Sequence, residues 1–130
     1  MNSMKTLLAV CSAAICLFAT TYSADAKPQK ENMLYTASYE YDFGEAKNVS
    51  TCIAKATVAL TKHGLSNGLT ARTEEDGRFG YVYGWSPDRT STAEIECNMD
   101  EKESNIAFSH YTDDPEATWE TWNRLSDAKW

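Results

Sequence analysis

The stretch NVSTCIAKATVALTKHG, residues 48–64, predicts a helix whose apolar side carries a cysteine. Apolar residues recur there at steps of three and four, the spacing that places side chains on one face of a helix. The members of this stripe are Val49, Cys52, Ile53, Ala56, Leu60 and His63. We expect Asn48 to cap the first turn with its side-chain oxygen, and Gly64 to follow the last turn in the left-handed conformation. Cys52 should therefore face the layer on which the helix packs.

Residues 1–26 have the organisation of a secretory signal peptide. One lysine precedes an apolar segment over residues 6–19, and Ala24-Asp25-Ala26 fits the small-x-small cleavage pattern. The apolar segment is short for a membrane span, and no other apolar run approaches that length. We therefore expect a periplasmic protein with a flexible arm at residues 27–33 and a single small domain at residues 34–130.

The chain is acidic, with 19 Asp and Glu against 12 Lys and Arg and a formal net charge of −7. This balance argues against nucleic acid and anionic membranes as partners, because both carry the same sign of charge. It permits metal cations or basic proteins.

Alternation of apolar and polar residues predicts strands before and after the helix. In residues 34–43 the apolar phase contains Tyr35, Ala37, Tyr39, Tyr41 and Phe43. In residues 92–99 it contains Ala93, Ile95, Cys97 and Met99. Cys97 thus shares the strand face that a helix bearing Cys52 would cover, and an export compartment permits disulfides. The two patterns together predict a Cys52–Cys97 bridge.

Further strands are predicted at residues 69–73, 79–85 and 105–112. Residues 79–85, FGYVYGW, place Tyr81, Tyr83 and Trp85 in one phase. The two glycines of that strand indicate a bulge or a close approach of another backbone.

A second helix is predicted to begin at Asp114 as the N-cap with Pro115 in the first turn, and to run to about Lys129. The order of elements predicts an α+β two-layer sandwich. We expect a mostly antiparallel sheet of four or five strands, with both helices on one face and one disulfide. The other face of such a sheet is open and normally polar.

Two pairs of acids lie in the polar phases of predicted strands. Glu40 and Asp42 share one side of the first strand, and Glu94 and Glu96 share one side of a later strand. If those strands were neighbours, four carboxylates would meet on the open face, and a hard cation would offset their repulsion. We therefore predict a metal site there. The competing acidic groups are Glu74, Glu75 and Asp76, and Asp113, Asp114 and Glu116.

Residues for nucleophilic catalysis are scarce. The sequence has two histidines, His63 and His110, no GxSxG motif, and no free cysteine outside the leader if the bridge forms. It also lacks the EF-hand pattern of alternating acids before a glycine. We therefore expect a binding protein and not an enzyme.

The segments STCIAKATVAL around Cys52 and VYGW…STAEIECNM around Cys97 resemble a small family of periplasmic two-cysteine α+β proteins that includes the lanthanide-binding landiscernins. The resemblance spans residues 35–125. It implies a surface-exposed lanthanide site, metal-bridged dimerisation, and a role as a metal chaperone or trafficking protein. No ligand motif matches residue by residue, so the assignment of Glu40, Asp42, Glu94 and Glu96 rests on strand phase. Calcium is the alternative ion, because it also prefers oxygen ligands.

The aromatic content supports a second hypothesis, a periplasmic protein-interaction module that needs no metal. Such a protein would act as an inhibitor of a secreted enzyme or as an immunity protein. Large aromatic side chains are common anchors at protein interfaces. The tryptophans that could serve are Trp85, Trp119, Trp122 and Trp130.

Overall fold

Five strands and two helices form in the computed structural model, which describes residues 30–43, 48–128 and 130. They are β1 (Glu31–Glu40), α1 (Ser50–Lys62), β2 (Asn67–Thr73), β3 (Phe79–Trp85), β4 (Ser91–Asn98), β5 (Glu103–Thr112) and α2 (Pro115–Ser126). The predicted signal peptide and residues 27–29 of the predicted arm lie outside the described residues. Residues 31–33, also expected in the arm, belong instead to β1, because they continue its pairing with β5.

The sheet is antiparallel throughout, in the order β1–β5–β4–β3–β2. Both helices pack on one face of it, α1 against β2, β3 and β4, and α2 against β5 and β1. The predicted α+β sandwich with five strands and one disulfide is therefore confirmed. Neither described helix has the length and hydropathy that a membrane crossing requires.

The apolar stripe of α1 is buried as its spacing predicts, and its ends differ slightly from the prediction. Val49 is the N-cap, not Asn48, whose side-chain oxygen instead accepts from Ser50 N–H at 3.0 Å. This one-residue shift follows because Val49 N–H bonds the Gly77 carbonyl and anchors the entry of the helix. Gly64 adopts φ +79° after the last turn, which confirms the left-handed terminus.

The disulfide joins Cys52 of α1 to Cys97 of β4, with 6.2 Å between the two Cα atoms. Both cysteines are fully buried. They belong to the same hydrophobic cluster as Leu60, Ile95 and Phe108, which are among the largest buried side chains. The predicted bridge therefore runs through the centre of the core.

α2 begins as the sequence predicts and ends earlier. The Asp114 carboxylate accepts from Ala117 N–H at 3.0 Å, which confirms this residue as the N-cap before Pro115. The helix ends at Ser126, three residues before the predicted end. Its apolar side packs Trp122 on Tyr35 of β1, with ring centroids 5.5 Å apart.

The two glycines of β3 determine which of its side chains face the helices. A Cβ on Gly80 would lie 2.7 Å from the Arg72 carbonyl oxygen, and a Cβ on Gly84 would overlap with the Leu65 carbonyl oxygen. The close backbone approach predicted for this strand is thus confirmed. Because Gly80, Val82 and Gly84 are the residues that face the helices, the aromatic residues of β3 face the other way.

Candidate functional site

The side of the sheet that faces away from the helices, here called the open face, carries an aromatic row. Tyr81, Tyr83 and Trp85 project from it along β3, and the rings of Tyr81 and Tyr83 are stacked with centroids 6.2 Å apart. Trp85 is 40% exposed. We expected a polar face. The difference arises because Gly80 and Gly84 lie on the side of β3 where Val49 and Leu65 approach closely, so the aromatic residues of the strand are on the other side.

Glu94 and Glu96 lie beside this row, on the same face of β4. Two residues of strand at about 3.4 Å each separate their Cα atoms by about 7 Å. Directly opposite on the neighbouring strands are Tyr83 and Ala107 for Glu94, and Tyr81 and Asn105 for Glu96. No lysine or arginine occupies these four positions. Within the described residues, neither carboxylate forms an ion pair or a hydrogen bond.

The floor of the open face next to the acids is formed by small side chains of β5 and β1. With Glu94 and Glu96 they enclose a depression of about 560 Å³, which Thr36, Ser38, Asn105 and Ala107 also line. Ser38 Oγ donates to Asn105 Oδ1 at 2.6 Å and holds that amide in place. Asn105 is a site residue that sequence reasoning missed, because only the strand order places it beside Glu96.

The two predicted acidic pairs do not meet. β5 lies between β1 and β4, and Glu40 stands opposite Glu103 of β5. In the parts of the chain that the structure describes, no three His, Cys, Asp or Glu side chains are close enough together to hold a metal ion. The condition for a four-carboxylate cluster is therefore not met within one chain.

Glu40 and Asp42 lie at one corner of the sheet, at and just beyond the end of the edge strand β1, near two cations. Together with Arg78 and Lys102 they line a depression of about 790 Å³. Arg78 also forms an ion pair with Asp100. The charge of this corner is therefore partly balanced by the protein itself, in contrast to that of Glu94 and Glu96.

Three of the six acids in the competing groups have structural roles. Asp76 accepts from Arg78 N–H at 2.9 Å in the turn between β2 and β3. Asp114 caps α2, and Glu116 lies in the first turn of that helix, where it complements the helix dipole. These contacts and the position of Glu116 give the three acids roles that need no bound ligand.

The histidines lie away from the open face. His110 Nδ1 is 2.8 Å from Thr118 Oγ1 beneath α2. His63 follows α1, and burial together with the nearby charges of Lys62 and Arg124 lowers its pKa. Neither histidine is hydrogen-bonded to a serine or a cysteine among the described residues.

Two of the four candidate tryptophan anchors belong to the core. Trp122 is 8% exposed and Trp130 is 9% exposed, so neither is available to a partner, contrary to the expectation. Trp119 is 52% exposed but packs against Tyr35, with centroids 5.7 Å apart. Trp85 is the tryptophan that lies on the open face next to the acids.

Comparison of the chain with known protein families finds no match, and comparison with curated proteins finds none either.

Proposed function

We propose that the protein is a periplasmic binding protein that takes a hard trivalent cation, a lanthanide, at Glu94 and Glu96 of the open face. These two residues carry the proposal because both carboxylates are accessible and lack a described protein partner. Like charges so close on one strand repel, and a bound cation removes that repulsion. The resemblance to the landiscernin family points to the same class of ion.

Two carboxylates supply at most four oxygens, whereas hard cations of this size take six to eight in proteins. The Asn105 amide oxygen, on the residue opposite Glu96, is a further candidate ligand from the protein, and it already accepts a hydrogen bond from Ser38. Water or a second copy of the chain would have to supply the remaining ligands. A second copy presenting the same face would bring four carboxylates to the ion, which supports a metal-bridged dimer. Such a protein would act as a metal chaperone and not as an enzyme.

A terbium titration tests the proposal, because tyrosine and tryptophan excitation sensitises bound terbium and Glu94 lies beside the row that contains Tyr83 and Trp85. Saturable luminescence that survives excess calcium is the expected result. The double variant Glu94→Gln with Glu96→Gln should weaken binding by at least about a hundredfold, since it removes both charges. Size exclusion in parallel reports whether the metal doubles the mass.

The matched control is Glu40→Gln with Asp42→Asn, which removes the same charge from the other acidic pair. It should leave terbium affinity within about twofold. Loss of binding in the control alone would move the site to that corner. Absence of heat in a calorimetric titration of the unaltered protein would reject the metal proposal.

The aromatic row favours a second candidate, a protein-interaction module without metal. Tyr81, Tyr83 and Trp85 beside two carboxylates form a surface suited to lysine or arginine side chains, which bind both aromatic faces and acids. The partner would then be a basic protein. Its capture in the presence of chelator, and loss of capture in Trp85→Ala, would favour this candidate over the metal. Capture that requires added metal would favour the first.

A further inference from the structure

The helical layer contains a second candidate site, here called the helix groove, on the opposite side of the molecule from the open face. It is a depression of about 480 Å³ between α1 and α2. Lys55, Lys62 and His63 line it from α1 and its C-cap, and Arg124 and Asp127 line it from α2 and its C-cap. Among the described residues, three permanent cations thus face one carboxylate, in a chain whose net charge is −7.

The cations of the groove have no carboxylate partner in the part of the chain that the structure describes. Within the described residues, none of Lys55, Lys62 and Arg124 forms an ion pair. Arg124 is oriented by a 3.2 Å hydrogen bond to the Thr121 hydroxyl, and the Lys55 ammonium lies 5.9 Å from the centroid of the Tyr41 ring. Lys62 and Arg124 lie in the last turns of α1 and α2 and complement the helix dipoles there, whereas Lys55, in the middle of α1, has no such role.

The pKa of His63 is lowered, and after burial the causes are the charges of Lys62 and Arg124. The residues of two different helices therefore act on the same imidazole, so their positive potentials add in one place. An anion placed between Lys62 and Arg124 would be attracted by both charges, and this attraction would favour its binding.

The groove also has an apolar side. Val58 is 66% exposed there, and Ala59 and Ala128 complete the lining. A ligand with an anionic head and a hydrocarbon tail would fit this lining, because its head could contact the lysines while its tail packs on Val58. The volume falls within the range of small-molecule sites, roughly 300–1,000 Å³.

We propose that the helix groove binds a small amphipathic oxyanion, a carboxylate or phosphate whose head lies between Lys62 and Arg124 and whose hydrocarbon part packs on Val58. The site is on the other layer from Glu94 and Glu96, so it stands independently of the cation proposed there. Carboxylate and phosphate share the charge-assisted hydrogen bonds that lysine and arginine offer.

The test is an NMR titration of the full-length mature protein with four probes: hexanoate, hexyl phosphate, acetate and inorganic phosphate. We expect saturable shifts at His63 and Val58, stronger for the two probes with a tail, and a rise in the pKa of His63 when the anion binds. The stronger of the tailed probes identifies the head group. Lys62→Gln and Arg124→Gln should each weaken binding about tenfold.

The matched control is Arg72→Gln, which removes an exposed cation from the sheet instead of the groove. It should leave the affinity unchanged. Lys62 and Arg124 are both exposed, so their replacement leaves the core intact, and a circular dichroism melt verifies this. Equal weakening in Arg72→Gln would mean diffuse attraction and overturn the proposal. Absence of saturable shifts with all four probes would overturn it as well.

Discussion

The indole Nε1–H of Trp130 donates a 3.0 Å hydrogen bond to the hydroxyl of Ser104, and both residues are buried. The Trp130 ring also meets Tyr39 edge to face, with centroids 5.5 Å apart. One residue thus closes the core over β5 and β1 beyond the end of α2. This contact explains why Trp130 is not a surface anchor.

Replacing Trp130 with phenylalanine should destabilise the protein by about 1–3 kcal/mol, because the buried Ser104 hydroxyl loses its partner. Urea unfolding followed by circular dichroism measures the change. Trp119→Phe is the control, since Trp119 is half exposed and should cost less. Equal losses in the two variants would contradict the structural role assigned to the hydrogen bond.

Removal of the disulfide should lower the free energy of unfolding by about 3–4 kcal/mol in the chain-entropy picture, because Cys52 and Cys97 are 45 residues apart. The double variant Cys52→Ala with Cys97→Ala tests this without added reductant. Chemical denaturation of both proteins gives the difference directly. Unchanged stability in the variant would mean that the bridge does not constrain the unfolded chain.

Gly84→Ala should destabilise the protein by about 1–3 kcal/mol, because the new Cβ overlaps with the Leu65 carbonyl oxygen and forces the backbone apart. Gly64→Asn provides a comparison. The space around Gly64 is open within 4 Å, and asparagine tolerates its left-handed backbone. Gly64→Asn should therefore destabilise the protein less than Gly84→Ala, and thermal unfolding measures both. A larger loss of stability in Gly64→Asn would contradict the prediction.

The pH dependence of stability should contain a contribution from His63. Burial and the charges of Lys62 and Arg124 lower its pKa in the folded protein below the ordinary value of 6.5. Between the two pKa values the unfolded chain binds more protons, so the free energy of unfolding falls as the pH is lowered through 6.5. This contribution becomes constant below the folded pKa and vanishes above 6.5.

Urea unfolding of the protein and of His63→Gln across this pH range tests the sign. The variant should show a flatter profile from about pH 5 to pH 8, because glutamine does not titrate there. A steeper profile in the variant would contradict the lowered pKa.

Local patterns were sufficient for much of the fold. The apolar stripe of α1 and the alternation in β4 are enough to place Cys52 and Cys97 on facing surfaces. The cap at Asp114 was predictable for the same reason, since an acid before a proline satisfies a first-turn N–H from its own neighbourhood. Each of these predictions depends on contacts within a few residues or on the apolar periodicity of a single helix or strand.

The candidate site depended on information that the local patterns do not contain. Alternation separates the two phases of β3, but it does not tell which one faces a helix. The orientation of β3 is determined by Gly80 and Gly84, because only residues without a Cβ leave room for the backbone of Arg72 and Leu65 on that side of the strand. The separation of Glu40 from Glu94 likewise follows from the insertion of β5 between their strands, a pairing of residues far apart in sequence.

The sheet has helices on only one of its sides, and this gives alternate residues of each strand different roles. Residues of one parity hold the fold together, whereas those of the other parity do not contact the core. Tyr83 and Glu94 belong to the second set, so both could be exchanged without loosening the first. Substitutions on the open face would therefore change the chemistry of that surface while leaving the buried core intact.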